Sequence, residues 1–236
     1  MNNNTFSLKK ILILVTILAV PGFLYYLLQE KGKNRYRPLS FYGPKQVAKT
    51  FHTVKRKQIP DTIYHTISDF KLINQNGDSV RFADDTSKIT VVNFFFTRCP
   101  SFCPNMNKEM KRVMNEYPKN KLVRFVSITV DPEYDKGEVL KQYAASYGAK
   151  PGKWDFLSGD KKEIYALARN GFLVDVLKDT TSELNFIHSP MLILVDPKKR
   201  IRGFYDSSSK GRIDILIDEI KVLITEDLRR REPSYE

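Results

Sequence analysis

The sequence predicts an α/β domain, one sheet with helices packed on it, preceded by a single apolar helix. Three observations carry this reading. Apolar runs of strand length at residues 90–96, 122–130 and 191–195 alternate with stretches of helical spacing. Glycine, proline and aspartate punctuate the joints between them. A turn and a hairpin partner follow the last of these strands, ahead of a closing helix.

Taken in order, residues 11–28 (ILILVTILAVPGFLYYLL) carry no charged side chain, and as a helix they nearly cross a hydrocarbon core of about 30 Å. The run is long for the apolar core of a signal peptide, Val20-Pro21-Gly22 is a poor cleavage site, and no cysteine is available for lipid attachment. Residues 11–28 are therefore expected to be an uncleaved transmembrane anchor behind a short tail, 1–10. Tyr25 and Tyr26 suit its interfacial end. Lys31, Lys33, Arg35 and Arg37 outnumber Lys9 and Lys10 on the other side and by themselves would put the domain on the cytoplasmic side. Residues 29–60 are polar and basic with scattered aromatics (Tyr36, Phe41, Tyr42, Phe51) and no clear period. They are expected to form a tether that lifts the domain, 61–236, off the bilayer.

Within the domain, residues 70–73 turn through Asn76-Gly77-Asp78 into 79–82 as a β-hairpin. The strand at 90–96 is apolar nearly throughout, as in a sheet covered on both faces. Met106, Met110 and Met114 fall at four-residue intervals in the helix that follows, a stripe that reads as core filling rather than as a thioether site. The strand at 122–130 ends at Asp131-Pro132, a helix over 136–147 is stopped by Gly148, and 154–157 is a short apolar segment. Asp160 caps a helix that runs to about Asn170 and stops at Gly171. Strands at 191–195 and 201–205 form a hairpin ahead of an amphipathic helix, 212–230.

With 236 residues, 42% hydrophobic and 12% aromatic, the chain has material for one sizeable core. Its net charge of +12 is unevenly distributed. Residues 61–236 hold 28 basic against 26 acidic side chains, 29–60 hold nine against one, and Lys9 and Lys10 supply the rest. The excess thus lies beside the apolar helix, where cations meet lipid headgroups, and no nucleic-acid partner is expected.

Both cysteines, Cys99 and Cys103, stand where the strand at 90–96 gives way to a helix. Unpaired N–H groups and the positive end of the helix dipole favour thiolate there, and Arg98 adds a cation, so both sulfurs are expected to ionise more easily than ordinary thiols. C-P-S-F-C keeps three residues between the cysteines, against two in thioredoxin-like redox sites. Once the helix begins, the sulfurs should lie about one turn apart on one face. Such a pair suits a soft metal, Cu(I) or Zn, completed by a third ligand; a disulfide or two inert buried thiols is the alternative. Of the three histidines, His52 falls in the tether and His65 just before the first strand, and both read as solvated or structural. His188 stands directly ahead of the strand at 191–195, and in a parallel sheet the loops around neighbouring strands can bring such a residue to the cysteine corner. The alternative is a hydrogen-bonded histidine at a strand entrance.

With these residues in view, the chain resembles the Sco/SenC proteins. The likeness runs from about Phe70 to the C-terminal helix and rests on three motifs in order: F-F-x-x-C-P-x-x-C-P at 95–104, S-I-T-V-D-P-E-Y-D at 127–135, and I-H-S ahead of an apolar strand ending V-D-P at 187–197. The resemblance implies a thioredoxin-like fold, a central mixed β-sheet flanked by helices, with an N-terminal β-hairpin and one N-terminal transmembrane helix. It implies copper, as Cu(I) and also Cu(II) if the ligands adjust, held by Cys99, Cys103 and His188, with Asp131 as a supporting carboxylate. It further implies a copper donor protein, a copper-receiving cytochrome c oxidase subunit, and a domain facing the periplasm from the cell inner membrane, or the intermembrane space in mitochondria, against the local charge count.

Two thiolates and an imidazole suit Cu(I) in trigonal geometry. The same thiols could reduce a disulfide of the acceptor, so a thiol-disulfide oxidoreductase acting through Cys99 and Cys103 is the competing reading. Pro190 departs from many Sco proteins and occupies the place where thioredoxin-fold reductases carry a cis-proline facing the active cysteines. It is expected to support the site, with the Ser189-Pro190 bond cis. Asp131 reads equally as a turn residue, since Asp-Pro after a strand is common turn chemistry. A peroxiredoxin-type P-x-x-x-T-x-x-C motif is absent, Val92 and Phe96 standing at its proline and threonine, and a zinc site has no candidate for a fourth ligand.

Overall fold

The structure is a computed structural model that describes residues 8–31, 38–54, 57–85, 87–174, 177–178, 186–187 and 190–231. It divides into two compact units, residues 1–37 and 38–236. The first holds helix α1 (Leu8–Lys31), 24 residues with Pro21 in its interior and a length of about 36 Å. Its apolar side chains, among them Leu12, Leu18, Phe23 and Tyr26, are exposed. Among the described residues no helix is long and apolar enough to cross a membrane.

In the second unit, the stretch expected to be an irregular tether is instead partly ordered. Strands β1 (Lys45–Val54) and β2 (Lys57–Tyr64) pair antiparallel as a separate two-stranded sheet. Val47, Thr50, Phe51 and Thr53 on one strand and Ile59, Thr62, Ile63 and Tyr64 on the other are β-branched or aromatic residues that favour a pleated surface. Interspersed lysines and a register shift between Val47 and Phe51 hide their alternation from a sequence reading.

The main sheet begins with β3 (Lys71–Asn74) and β4 (Ser79–Arg81), the expected hairpin. Its turn is closed by Asn74, whose Oδ1 accepts from the N–H groups of Asn76 and Asp78, both at 2.9 Å. Gly77 has φ +88°, and a Cβ there would meet nothing. Gly77→Ala therefore carries only the backbone cost of the left-handed region and is expected to destabilise the domain by about 1 kcal/mol, read from the urea midpoint.

The order then runs β5 (Ile89–Phe95), α2 (Cys103–Glu116), β6 (Val123–Thr129), α3 (Gly137–Ser146), β7 (Trp154–Ser158) and α4 (Lys161–Ala166). Asp160 caps α4 by accepting from the Glu163 N–H at 2.9 Å. The helix expected to continue to Asn170 changes at Leu167 to a π-helical turn ending at Gly171. Two short strands, β8 (Leu177–Lys178) and β9 (Phe186–Ile187), pair with each other. The chain closes with β10 (Met191–Val195), β11 (Ile201–Asp206) and α5 (Lys210–Arg231).

The seven-stranded sheet has the order β11-β10-β5-β6-β7-β3-β4. Its three central strands β5, β6 and β7 are parallel, and those on either side are antiparallel. This is the mixed, helix-flanked sheet of the thioredoxin-like expectation. Both faces of β5 are covered. Asn93 reaches Asn107 of α2, and Phe95 stacks on Tyr143 of α3 at 5.2 Å, while Phe94 meets Phe172 on the other side at 5.4 Å. Met106 and Met110 are fully buried in this core, as the core-filling reading of the stripe requires.

Candidate metal centre

Parallel pairing of β5 and β6, with Phe95 beside Thr129, brings together the loops that leave their C-terminal ends. The first loop carries Arg98 and Cys99, and the second carries Asp131 and Asp135. Val130 N–H donates to the Phe95 carbonyl at 2.8 Å and ties the two strand ends. This is the strand-to-helix corner read from the sequence.

The cysteines do not stack along a helix as expected. Cys99 lies in a turn, its N–H donating to the Phe96 carbonyl at 3.3 Å, and α2 begins only at Cys103. Both sulfurs nevertheless belong to this corner. The two residues are thiols outside any disulfide, 7% and 0% exposed, and Cys99 Sγ lies 3.7 Å from Ser101 Oγ. The expected ease of ionisation is reversed for Cys103. The neighbouring Cys99 thiol, and then burial, push its thiol far above the ordinary value, and the Phe96 backbone offsets this only in part. The adjoining thiol and the loss of hydration together outweigh the helix-start dipole, because the dipole acts on a sulfur with no water left to help carry the charge.

Arg98 is not available to the thiols in the way expected. Its guanidinium donates to Asp131 Oδ2 at 2.6 Å and lies 4.1 Å over the Tyr134 ring. The Asp131 bond is the main cause of its raised pKa. Asp131 combines both roles weighed for it. As a turn residue its carbonyl accepts from the N–H groups of Tyr134 and Asp135, and as a brace its side chain holds the residue next to Cys99. Arg98→Ala is expected to cost about 1–2 kcal/mol, above an ordinary surface pair, because it strands a carboxylate whose side chain is 7% exposed. Tyr134→Ala, which leaves the ion pair in place, should cost less in the same urea titration.

Sequence reading gives no role to Asp135, the last residue of the second motif. It is fully buried and accepts from Thr97 N–H at 2.9 Å, from Thr97 Oγ1, and from Thr129 Oγ1 at 2.5 Å. Burial raises its pKa in spite of these bonds. Asn93, Asn107 and Tyr143 are a second omission, a chain in which Asn93 Nδ2 donates to Asn107 Oδ1 at 2.8 Å and Asn107 Nδ2 to Tyr143 Oη at 3.1 Å. It links β5, α2 and α3 behind Cys103. Apolar periodicity highlights neither group, since the only signal is a polar residue at an inward position.

The other two histidines behave as expected: His52 Nδ1 pairs with Asp61 at 2.6 Å on the surface, and His65 Nε2 meets the Gly171 carbonyl at 2.7 Å. His188 and Ser189 lie outside the described residues, and with them the Ser189-Pro190 bond. Among the described residues no peptide bond is cis, and no three His, Cys, Asp or Glu side chains gather as a metal-binding group. Pro190 is half-buried, its carbonyl accepting from Ser207 N–H at 2.9 Å. It enters β10, which runs antiparallel to β5 with Ile193 opposite Val92 and Val195 opposite Thr90. That antiparallel pairing, rather than the parallel neighbours first invoked, sets the start of β10 at the end of β5 from which the cysteine loop leaves.

Comparison with known proteins bears on this geometry. A family model described as SCO1/SenC matches residues 59–225. The SCO1 protein homolog of Bacillus subtilis is 30% identical over 167 residues, covering 70% of this chain and 86% of its own. The solved structure of BsSco, a member of the Sco family of cytochrome c oxidase assembly proteins with a disulfide switch, is 29% identical with a TM-score of 0.60, covering 68% of this chain and 94% of that one. Arabidopsis thaliana ScoI with copper bound is 26% identical with a TM-score of 0.55, covering 69% and 98%. The chain belongs to the SCO1/SenC family.

Proposed function

We propose that this protein is a membrane-anchored copper metallochaperone that binds copper through Cys99, Cys103 and His188 and delivers it to the copper centre of cytochrome c oxidase. The observation that carries the reading is the placing of two buried thiols, neither in a disulfide, at the corner beside the start of β10. His188 is two residues from Pro190, so chain continuity keeps their Cα atoms within about 7 Å. Two thiolates with an imidazole form a soft donor set suited to Cu(I). The copper bound to ScoI of Arabidopsis thaliana and the oxidase-assembly role of the family of BsSco support the same cargo and destination. Copper is passed on by ligand exchange, and no electron need move. Cys99, the less buried sulfur, is the one that an acceptor ligand would meet first. The uncharged run of 11–28 within α1 supports a single membrane anchor; the placing of the domain on the periplasmic or intermembrane-space side rests on the family resemblance, against the local charge count.

The closeness in sequence and shared corner of the two thiols favour a second reading, reduction of a partner's disulfide. The Cys99 thiolate would attack one partner sulfur and release the other as a thiolate, and Cys103 would then attack Cys99 in the mixed disulfide, forming the Cys99–Cys103 disulfide and releasing the partner's second thiolate. Two electrons pass to the partner, and the two protons given up by Cys99 and Cys103 go to its new thiols. Metal analysis of the anaerobically reduced full-length protein decides between the two. The expected result is one copper per chain and a loss of retention of at least about tenfold on His188→Ala. Copper content indifferent to His188→Ala, together with disulfide reduction that needs both cysteines, would replace the first reading by the second.

A further inference from the structure

The β1–β2 arm has no task in copper binding, and its surface is unusual. Its root is fixed to the domain. Tyr42 N–H donates to the Ile201 carbonyl at 3.0 Å, Arg202 Nη2 donates to the Leu39 carbonyl at 2.7 Å, the rings of Phe41 and Tyr64 lie 4.1 Å apart, and the Arg200 guanidinium sits 4.4 Å over Phe41. Beyond the root, large apolar side chains are exposed on both faces. Val47, opposite Thr62, and Phe51, opposite Pro60, share one face at 76% and 60% exposure. Ile63 and Ile59, opposite Gln46 and His52, share the other at 53% and 42%. Lys45, Lys49 and Lys57 are exposed among them, and the one acidic residue of the arm, Asp61, is taken up by His52. Apolar residues interleaved with uncompensated lysines are the composition of a surface that enters the headgroup region of an anionic bilayer.

Two facts of placement agree with this. Only seven residues of sequence, 32–38, lie between Lys31, the end of α1, and Leu39 at the root, eight Cα–Cα steps of no more than about 28 Å in all for any extended chain. The root also lies at the pole of the sheet opposite the cysteines. Ile201 pairs with Val195 and Val195 with Thr90, at the start of β5, whereas the cysteine loop leaves its far end, about 20 Å away.

We propose that the arm is a second, peripheral membrane contact, which sets Phe51 and its apolar neighbours into the interface of an anionic bilayer and holds the cysteine end of the domain directed away from lipid. The proposal rests on the membrane-anchored reading above.

The test uses the full chain reconstituted into vesicles of phosphatidylcholine and phosphatidylglycerol with brominated acyl chains. The single native tryptophan, Trp154, is fully buried, so Phe51→Trp adds one reporter at an exposed position. Its added emission is expected to fall at least twofold relative to unbrominated vesicles. That quenching should itself drop at least twofold in pure phosphatidylcholine or with Lys49→Glu and Lys57→Glu. A reporter at the cysteine end, Tyr134→Trp, should stay unquenched. If the protein floats with the vesicles but the Phe51→Trp reporter is unquenched, the arm is not a lipid contact, and if both reporters are quenched alike the cysteine end is not held away from lipid; either result overturns the proposal while the anchor stands. An unquenched reporter that shifts only on addition of a soluble acidic protein would assign the face to a protein instead. A chain that does not float with the vesicles overturns the anchored reading and this proposal with it.

Discussion

Cys103→Ser is expected to lower the copper held by the reduced protein more than about a hundredfold while leaving the domain folded. Loss of an outer partner of a metal ligand commonly costs 10–100-fold, and here a soft ligand is replaced by a hard hydroxyl that Cu(I) does not favour. Serine is smaller than cysteine and keeps a polar donor at the same place. The fully buried site should therefore lose only about 1–2 kcal/mol of stability. Competition against a Cu(I) chelator under anaerobic conditions measures the first effect, and urea unfolding of the copper-free protein the second. Copper held as tightly by the serine variant as by the wild type would sink the assignment of Cys103. A pH dependence accompanies the prediction. The Cys103 thiol keeps its proton well above the ordinary range, so copper must displace that proton on binding, and affinity should rise up to about tenfold per pH unit for each proton released.

Asp135→Ala is expected to destabilise the domain by about 2–4 kcal/mol, or about 5–12 °C in melting temperature. The substitution leaves the Thr97 N–H and the Thr97 and Thr129 hydroxyls without their buried acceptor, a loss moderated because the carboxylate's own desolvation cost disappears as well. Since Thr97 is two residues from Cys99, copper affinity should fall with stability. Asp135→Asn separates charge from shape. The folded pKa of Asp135 is raised above its ordinary 3.8, chiefly by burial. Its contribution to stability is thus fully present below pH 3.8 and is lost as the pH rises through the folded value. The wild type should consequently gain on Asp135→Asn as the pH falls from 7 towards 4, in thermal melts of the two proteins side by side. A difference that stays flat, or that shrinks on acidification, would contradict the raised pKa.

Both predictions concern groups that a sequence reading treats unequally. The cysteine pair is conspicuous because it stands at a boundary between two periodicities, and its place at a strand-to-helix corner follows from that boundary alone. Asp135 differs in no way from a turn aspartate until Thr97 and Thr129 are seen to close on it. The same holds for Arg98, which as a sequence neighbour suggests a cation beside the thiols and in space belongs to Asp131.

Local pattern was sufficient for most of the second unit. The hairpin turn at Asn76-Gly77, the buried strands β5, β6 and β10, the Asp160 cap and the core placement of Met106 and Met110 all follow from period, turn chemistry and capping, which act within a few residues along the chain. The β1–β2 arm escaped because its alternation is broken by a register shift and by lysines that resemble a solvated linker.

By itself, then, the sequence determined the main helices and the strands of the central sheet in their order, the corner that carries the thiols and the family to which the chain belongs. Tertiary structure alone decided that β10 runs against β5, that Cys103 is a weaker acid than an ordinary thiol rather than a stronger one, and that Asp135 holds the loop between the strand and Cys99. The reason is that strand orientation depends on pairing across the whole sheet, while acid strength and partner choice depend on water excluded by residues many positions away. Neither quantity is a property of any window of the chain.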